Sequence, residues 1–263
     1  MRGKEVAIPR PPRRVVSLVP SITETLFDIG AGADVVGVTD WCIYPERIGA
    51  TRLGGTKNPR VDEIRELQPD LVHMNLEENL ERHARAIEEF APVFVTEPKS
   101  PGDVAGLLRQ LGAIHGVADA AERAAAELER ELARPALPSF TFVVPIWRAP
   151  WMWCGGDTYV SALVESLGGT NALGDRSRYP SVELGEVAEL APDVILLPDE
   201  PYAFRGDDAI AIGGHIPARI IGPFPGHLAT WHGTRTVKGL RYLRGALGVT
   251  PSFLSDTSGR GRR

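Results

Sequence analysis

The chain has 263 residues, enough for one large domain or for two lobes with a core each. Its 43% hydrophobic and 24% charged residues are ordinary for a globular protein, and a net charge of −5 leaves no basic surface for nucleic acid. No stretch approaches the roughly 20 apolar residues that span a bilayer, and residues 1–14 carry arginines and prolines where a secretion signal has an apolar core. As it stands the sequence reads as a cytoplasmic monomer with no membrane insertion; an extracytoplasmic location requires a leader removed from it. Two cysteines, Cys42 and Cys154, make no disulfide framework.

Residues 15–19 form an apolar run of strand length. Ser21 with Glu24 three residues later has the spacing of a capping box, and predicts a helix reaching Gly30. Residues 34–38 read as a second strand, 61–67 as a short helix, 71–74 as a third strand, 79–90 as a helix with Leu80, Ala84, Ile87 and Phe90 close to one face, and 93–95 as a fourth strand. This alternation is the mark of a parallel sheet covered by helices. It breaks at two consecutive helices, 103–115 and 119–134. The second, capped by Asp119, is rich in Ala, Glu, Arg and Leu and would form a rod of roughly 23 Å. The alternation restarts with a strand at 140–145, helices at 158–167 and 181–190, a strand at 194–197, a short strand within 216–221 and a terminal helix at 231–247. Residues 250–263 are polar and basic and read as a disordered tail.

The halves echo each other. VDEIRELQPDLVHM at 61–74 parallels LGEVAELAPDVILL at 184–197: a short amphipathic helix, a Pro-Asp turn and a buried strand. Two copies at matching places suggest two similarly built lobes. The domain organisation is then an N-terminal α/β lobe at 13–100, connecting helices at 101–137 and a C-terminal α/β lobe at 138–249.

Taken together and in order, RRVVSLVPSITETLFDIGAGADVVGV, GGTKNPRVDEIRELQPDLV, LEENLERHARAI, the strut at 119–134, GGDTYVSALVESLGGTNAL, YPSVELGEVAELAPDVILL and TWHGTRTVKGLRYL resemble the helical-backbone (class III) substrate-binding proteins of metal-chelate ABC importers, and among them the cobalamin-binding ones most closely. The resemblance covers about residues 13–247. It implies two Rossmann-like α/β lobes with parallel sheets, a long connecting helix, and a cleft that holds a corrinoid or other metal chelate without catalysis. It also implies an ABC permease as partner.

Ligands of open α/β sheets sit outside the carboxyl ends of the strands. That rule sends residues 17–21, then Trp41, Cys42 and Tyr44, then 75–78, then 147–154 with Met152 and Trp153, then 199–204 with Glu200, Tyr202 and Phe204, and then 224–231 with Trp231, toward the cleft. Flat aromatics there suit a large, flat, partly apolar ligand. By the resemblance, Trp41 matches an aromatic that touches cobalamin, Tyr179 falls where the family has a contacting Trp, Met152 lies near a contacting Phe, and Arg235 aligns with an arginine of the last cleft loop. A second family Trp is replaced at Thr56 or Lys57. The acidic residues with which the family docks onto its permease fall at Asp62 and at Gly185, the latter flanked by Glu183 and Glu186.

Cys42 and Cys154 would face one cleft as soft ligands if both lay at its walls, against the plainer reading of two inert thiols. His227 and His232, five apart beside Trp231, are weak candidates for an axial metal ligand, and Glu77 with Glu78 a weaker carboxylate pair. His73 ends a strand and reads as a core histidine more readily than as a cleft residue. No G-x-S-x-G elbow, P-loop, H-E-x-x-H or dinucleotide glycine motif is present. The alternative to a binding protein is a cytoplasmic enzyme or chaperone on the same scaffold, using carboxylates such as Asp157, Glu183 and Glu200.

Overall fold

The computed structural model describes Ile8 and residues 11–248; the tail expected at 250–263 lies outside them. Apolar runs bounded by turns form two wholly parallel sheets. The first holds β1 (Val15–Ser17), β2 (Val35–Val38), β3 (Thr51–Arg52), β4 (Leu71–Asn75) and β5 (Val93–Thr96) in the order β3-β2-β1-β4-β5. The second holds β6 (Phe140–Val143), β7 (Gly169–Asn171), β8 (Val194–Pro198) and β9 (Arg219–Phe224) in the order β7-β6-β8-β9. The N-terminal sheet is joined by α1 (Pro20–Asp28), α2 (Val61–Glu66) and α3 (Glu81–Glu88). Two fifteen-residue helices, α4 (Pro101–His115) and α5 (Ala118–Leu132), follow and pack on each other. The C-terminal sheet carries α6 (Tyr159–Glu165), α7 (Leu184–Glu189), α8 (Gly206–Gly213), α9 (His227–Thr230) and α10 (Arg235–Gly248).

The α4–α5 pair is built into both lobes. Leu107 and Leu111 join the core of Val15, Ile22, Leu26 and Val38, whereas Val104, Leu108, Ala125 and Leu128 join that of Phe142, Leu163, Leu196 and Leu240. Each buried leucine contributes roughly 1.5–3 kcal/mol, so the connection is a shared wall rather than a tether. The two helices touch closely at Gly112, where an added Cβ would lie 2.3 Å from that of Ala121.

The internal repeat is structural. Gln68 and Ala191, before the prolines of the two Pro-Asp turns, both take a left-handed φ of 46°. In each lobe the following Asp pins the start of the neighbouring strand. Asp70 accepts the N–H groups of Arg13 (3.0 Å) and Arg14 (2.7 Å), and Asp193 accepts the N–H (2.7 Å) and hydroxyl (2.9 Å) of Thr141.

Several local expectations change. Helix α1 starts at Pro20 with Val19 as cap, so Ser21 and Glu24 do no capping; Val117, not Asp119, precedes α5. The terminal helix starts at Arg235 instead of 231 and is preceded by the separate short α9, the two parted at Gly233, whose φ of +90° and close approach to Thr25 leave no room for a side chain. Strands β3 and β7, helix α8 and two hairpins (Gly54–Gly55 with Asn58–Pro59, Pro145–Trp147 with Met152–Trp153) are too short or too glycine-rich to show a period.

Candidate functional site: the inter-lobe cleft

The order in which strands are added switches sides between β1 and β4 in one sheet and between β6 and β8 in the other, so each lobe has its crevice there. The loops after these strands meet across the lobe boundary.

Helix α1 supplies the hinge side of that boundary. Its apolar face goes to the core, and Ser21, Glu24, Thr25 and Asp28, spaced i, i+3, i+4 and i+7, form a polar stripe facing the other lobe. Ser21 Oγ lies 3.4 Å from His232 Nε2, Thr25 Oγ1 accepts the N–H of Thr234 (3.2 Å), and Asp28 accepts the Thr234 hydroxyl (2.6 Å). Glu24 takes two hydrogen bonds from Arg235, 2.5 and 2.7 Å, and one from Lys238 at 3.1 Å. Arg235, expected as a polar edge for the ligand, is thus buried in an ion pair.

Above that pair sits an aromatic cluster drawn from both lobes. The Tyr44 and His227 rings are 5.3 Å apart, and Trp231 closes the group at 5.9 and 5.6 Å. The Arg235 guanidinium lies 3.9 Å from the Tyr44 ring centroid. Arg235 Nη1 donates to His227 Nδ1 at 3.0 Å. Arginine has no acceptor, so Nδ1 is bare and the ring proton sits on Nε2, where it faces Tyr44 Oη at 3.3 Å. Burial and the Arg235 charge lower the His227 pKa and keep the ring neutral. In this arrangement Nε2 carries a proton and is not free to ligate a metal.

At the mouth, Glu77 bonds across the boundary to Arg178 Nη1 (2.6 Å) and to the Tyr179 hydroxyl (3.0 Å). Burial, then the Glu77 charge, raises the Tyr179 pKa. Lys57 of the first hairpin donates to the Glu77 carbonyl. Trp41 is 65% exposed on one lip, with Ile43 beside it. On the other lobe Trp147 is 43% exposed, packs edge-on to Tyr202 at 5.5 Å, and pairs in register with half-buried Met152. Trp147 is the first residue of the stretch 147–154 that the strand-end rule sends to the cleft.

Other candidates lie away from the opening. Trp153 is fully buried in the C-terminal core and donates its indole N–H to the Val182 carbonyl at 2.9 Å. Phe204 is buried against Tyr202. Cys42 and Cys154 do not face a common cleft. The backbone turns back at Thr39, which sends Cys42 into the N-terminal core between the Thr23 and Thr39 hydroxyls, whereas Cys154 belongs to the C-terminal core. Burial raises both thiols, Cys154 to about 12. His232 is buried in the inter-lobe seam, held neutral by desolvation with a pKa lowered to about 4. His73 pairs with His115 inside the N-terminal lobe, Nε2 to Nε2 at 2.9 Å. Among the described residues no group of three or more His, Cys, Asp or Glu side chains could hold a metal ion.

The enzyme-type carboxylates occupy separate places. Asp157 accepts the Arg178 N–H, Glu183 precedes α7, and Glu200 accepts the Thr230 hydroxyl. Asp62 stands exposed in the first turn of α2, and Glu183 and Glu186 at the matching end of α7, with Glu186 bonded to Arg176 at 3.0 Å.

Comparison with known proteins agrees with this architecture. The chain is 26% identical over 200 residues to the vitamin B12-binding protein of Pectobacterium carotovorum subsp. carotovorum, covering 72% of each chain. It is 24% identical over 211 residues to an uncharacterised ABC transporter substrate-binding lipoprotein, YvrC, of Bacillus subtilis, covering 75% of this chain and 67% of that one. Among solved structures, the periplasmic heme-binding protein RhuT from Roseiflexus sp. RS-1 superposes with a TM-score of 0.77 at 26% identity, over 89% of this chain and 97% of the other. The periplasmic vitamin B12 binding protein BtuF of Vibrio cholerae superposes with a TM-score of 0.74 at 18% identity, over 90% and 97%, which speaks for the fold alone. No helix among the described residues is long and apolar enough to cross a membrane. The sequence profile of the periplasmic binding proteins matches residues 15–209, and on that match, spanning both lobes, the chain belongs to the periplasmic binding protein family.

Proposed function

We propose that the protein binds a flat metal chelate, of the corrinoid class first, in the inter-lobe cleft and releases it unchanged. The observation that carries this reading is the Tyr44–His227–Trp231 cluster spanning the lobe boundary, with exposed Trp41 and Trp147 on the two lobes. Rigid aromatics give a macrocycle broad contact at low entropic cost. Relatives named for vitamin B12 and heme support the chelate class, and membership of a binding-protein family sets the enzyme alternative aside.

With the His227 proton on Nε2, His227 serves as a hydrogen-bond donor and the Tyr44 oxygen is the group presented to the ligand. Tyr179 and Met152 belong to the same proposed lining. Asp62, Glu183 and Glu186, at matching helix ends, form the proposed docking points for an ABC permease, as relatives that are transporter components suggest. The same relatives favour work outside the cytoplasmic membrane over the cytoplasmic expectation; fractionating cells that carry the native gene distinguishes the two. The binding test is a titration with cyanocobalamin, cobinamide and haemin, followed by tryptophan fluorescence and ligand absorption. Saturable one-to-one binding by one of them supports the reading, and no binding by any of them refutes it.

A further inference from the structure

One carboxylate bridges the mouth of the cleft. Glu77, from the loop after β4, accepts Arg178 Nη1 at 2.6 Å on one oxygen and the Tyr179 hydroxyl at 3.0 Å on the other. Both sides of this contact stand at the carboxyl ends of the sheets. Strand β4 borders the switch in strand order of the N-terminal sheet. Arg178 and Tyr179 run beside the hairpin that follows β6: Trp153 donates its N–H to the Pro180 carbonyl at 3.0 Å, and Gly155 donates to the Arg178 carbonyl at 2.8 Å. A ligand lying between the two crevices has to part this contact.

The two donors are held without help from Glu77. Arg178 has a left-handed φ of 60°, uncommon outside glycine, and its N–H is taken by the Asp157 carboxylate. Its guanidinium lies 5.5 Å from the Tyr179 ring centroid. Gly155 packs on the same segment so closely that an added Cβ would lie 3.0 Å from the Arg178 carbonyl oxygen. Glu77 is set from its own lobe: Asn75 Oδ1 accepts its N–H at 2.8 Å, and Lys57 donates to its carbonyl. Neither of those bonds uses the carboxylate, so the side chain can turn into solvent without undoing its loop.

Resting on the chelate-binding reading above, we propose that Arg178 and Tyr179 form a subsite for a carboxylate or phosphate at the edge of the ligand, and that the Glu77 carboxylate occupies this subsite while no ligand is bound. Two donors fixed side by side match two oxygens of one anionic group, and both bonds are charge-assisted. The contact they give up is cheap to exchange: Arg178 is 53% exposed and Glu77 35%, and exposed ion pairs are weak. An anionic edge group takes over both bonds and leaves Glu77 hydrated. A neutral one parts the pair and offers Arg178 no charge in return. The subsite thus selects by charge, whereas the aromatic clamp selects by ring.

The test compares two pairs of chelates: haemin with its dimethyl ester, which differ by carboxylates, and cyanocobalamin with cobinamide, which differ by the phosphate-bearing nucleotide loop. In the pair whose ring the cleft accepts, the wild type should hold the anionic member more tightly, and Arg178→Gln/Tyr179→Phe should cut that preference about tenfold. The pair that responds tells a carboxylate subsite from a phosphate one. Glu77→Gln should gain affinity for the anionic member, about two- to fivefold, because its competitor is weakened. A contact that merely ties the lobes would lose affinity instead. Equal or lower affinity in Glu77→Gln, an undiminished preference in the double variant, or no preference in the wild type overturns the proposal and leaves the cleft reading standing. Absence of binding by all four chelates overturns both.

Discussion

Glu24 and Arg235 meet across the lobe boundary in a two-point ion pair, with the two side chains only 4% and 6% exposed. Removing Arg235 leaves the buried Glu24 charge with only the largely exposed Lys238 as partner, which costs up to about 3–5 kcal/mol. Arg235→Met should lower the urea midpoint accordingly, and should also weaken chelate binding because His227 loses the donor that fixes its tautomer. Lys238→Met removes a largely exposed charge and should cost under about 1 kcal/mol. Equal effects of the two substitutions would show that the pair is not the tie between the lobes.

Acid should destabilise the protein through two buried histidines that stay neutral in the folded state. His73 and His232 have pKa values lowered to about 3 and about 4 by burial, with the neighbouring His115 adding to the effect on His73. In the unfolded chain each binds a proton near pH 6.5. Between that value and the folded one the unfolded state holds more protons, so stability falls as pH drops through this window and is flat above it with respect to these groups. For His232 alone the loss between pH 7 and pH 5 is about 2 kcal/mol. Urea melts across that range should show it, and His232→Asn should flatten the dependence.

Both thiols should be silent in the native state. Cys42 and Cys154 are buried with raised pKa values, so little reactive thiolate is present near neutrality. A thiol-disulfide reagent should titrate almost nothing at pH 8 and two equivalents after denaturation, and Cys42→Ser/Cys154→Ser should leave chelate affinity unchanged. Rapid native labelling would put the thiols back at the cleft.

Two tryptophans should separate binding from folding. Trp41→Ala should weaken chelate binding about tenfold or more while leaving the melting midpoint nearly in place, since its ring is mostly solvated and interface aromatics carry much of a contact's energy. Trp153→Phe should cost about 1–3 kcal/mol through lost packing and an unpaired Val182 carbonyl, with affinity kept. Isothermal titration and urea unfolding of both variants check the contrast.

The sequence carried the lobes because their signals are local: short apolar runs, helix periodicity, and the repeated Pro-Asp turn whose aspartate anchors the next strand over. It pointed to Trp41, which is exposed, and to Tyr44, which meets His227 of the other lobe, because both follow a readable strand. It concealed Glu24, whose spacing from Ser21 satisfies a capping box equally well; only packing shows that the carboxylate goes to a residue 211 positions away. It misplaced Cys42 and Trp153 for a related reason. A position after a strand end says where the backbone is, and a single tight turn decides whether the side chain points out or back into the core.

The most direct measurement is a titration of the purified protein with cyanocobalamin, read by tryptophan fluorescence and corrin absorption, in the wild type and in Trp41→Ala. Saturable one-to-one quenching in the wild type, weakened about tenfold in the variant, is the expected result. Identical curves for the two proteins would contradict a cleft formed by these aromatics, and no change with cyanocobalamin, cobinamide or haemin would contradict chelate binding itself.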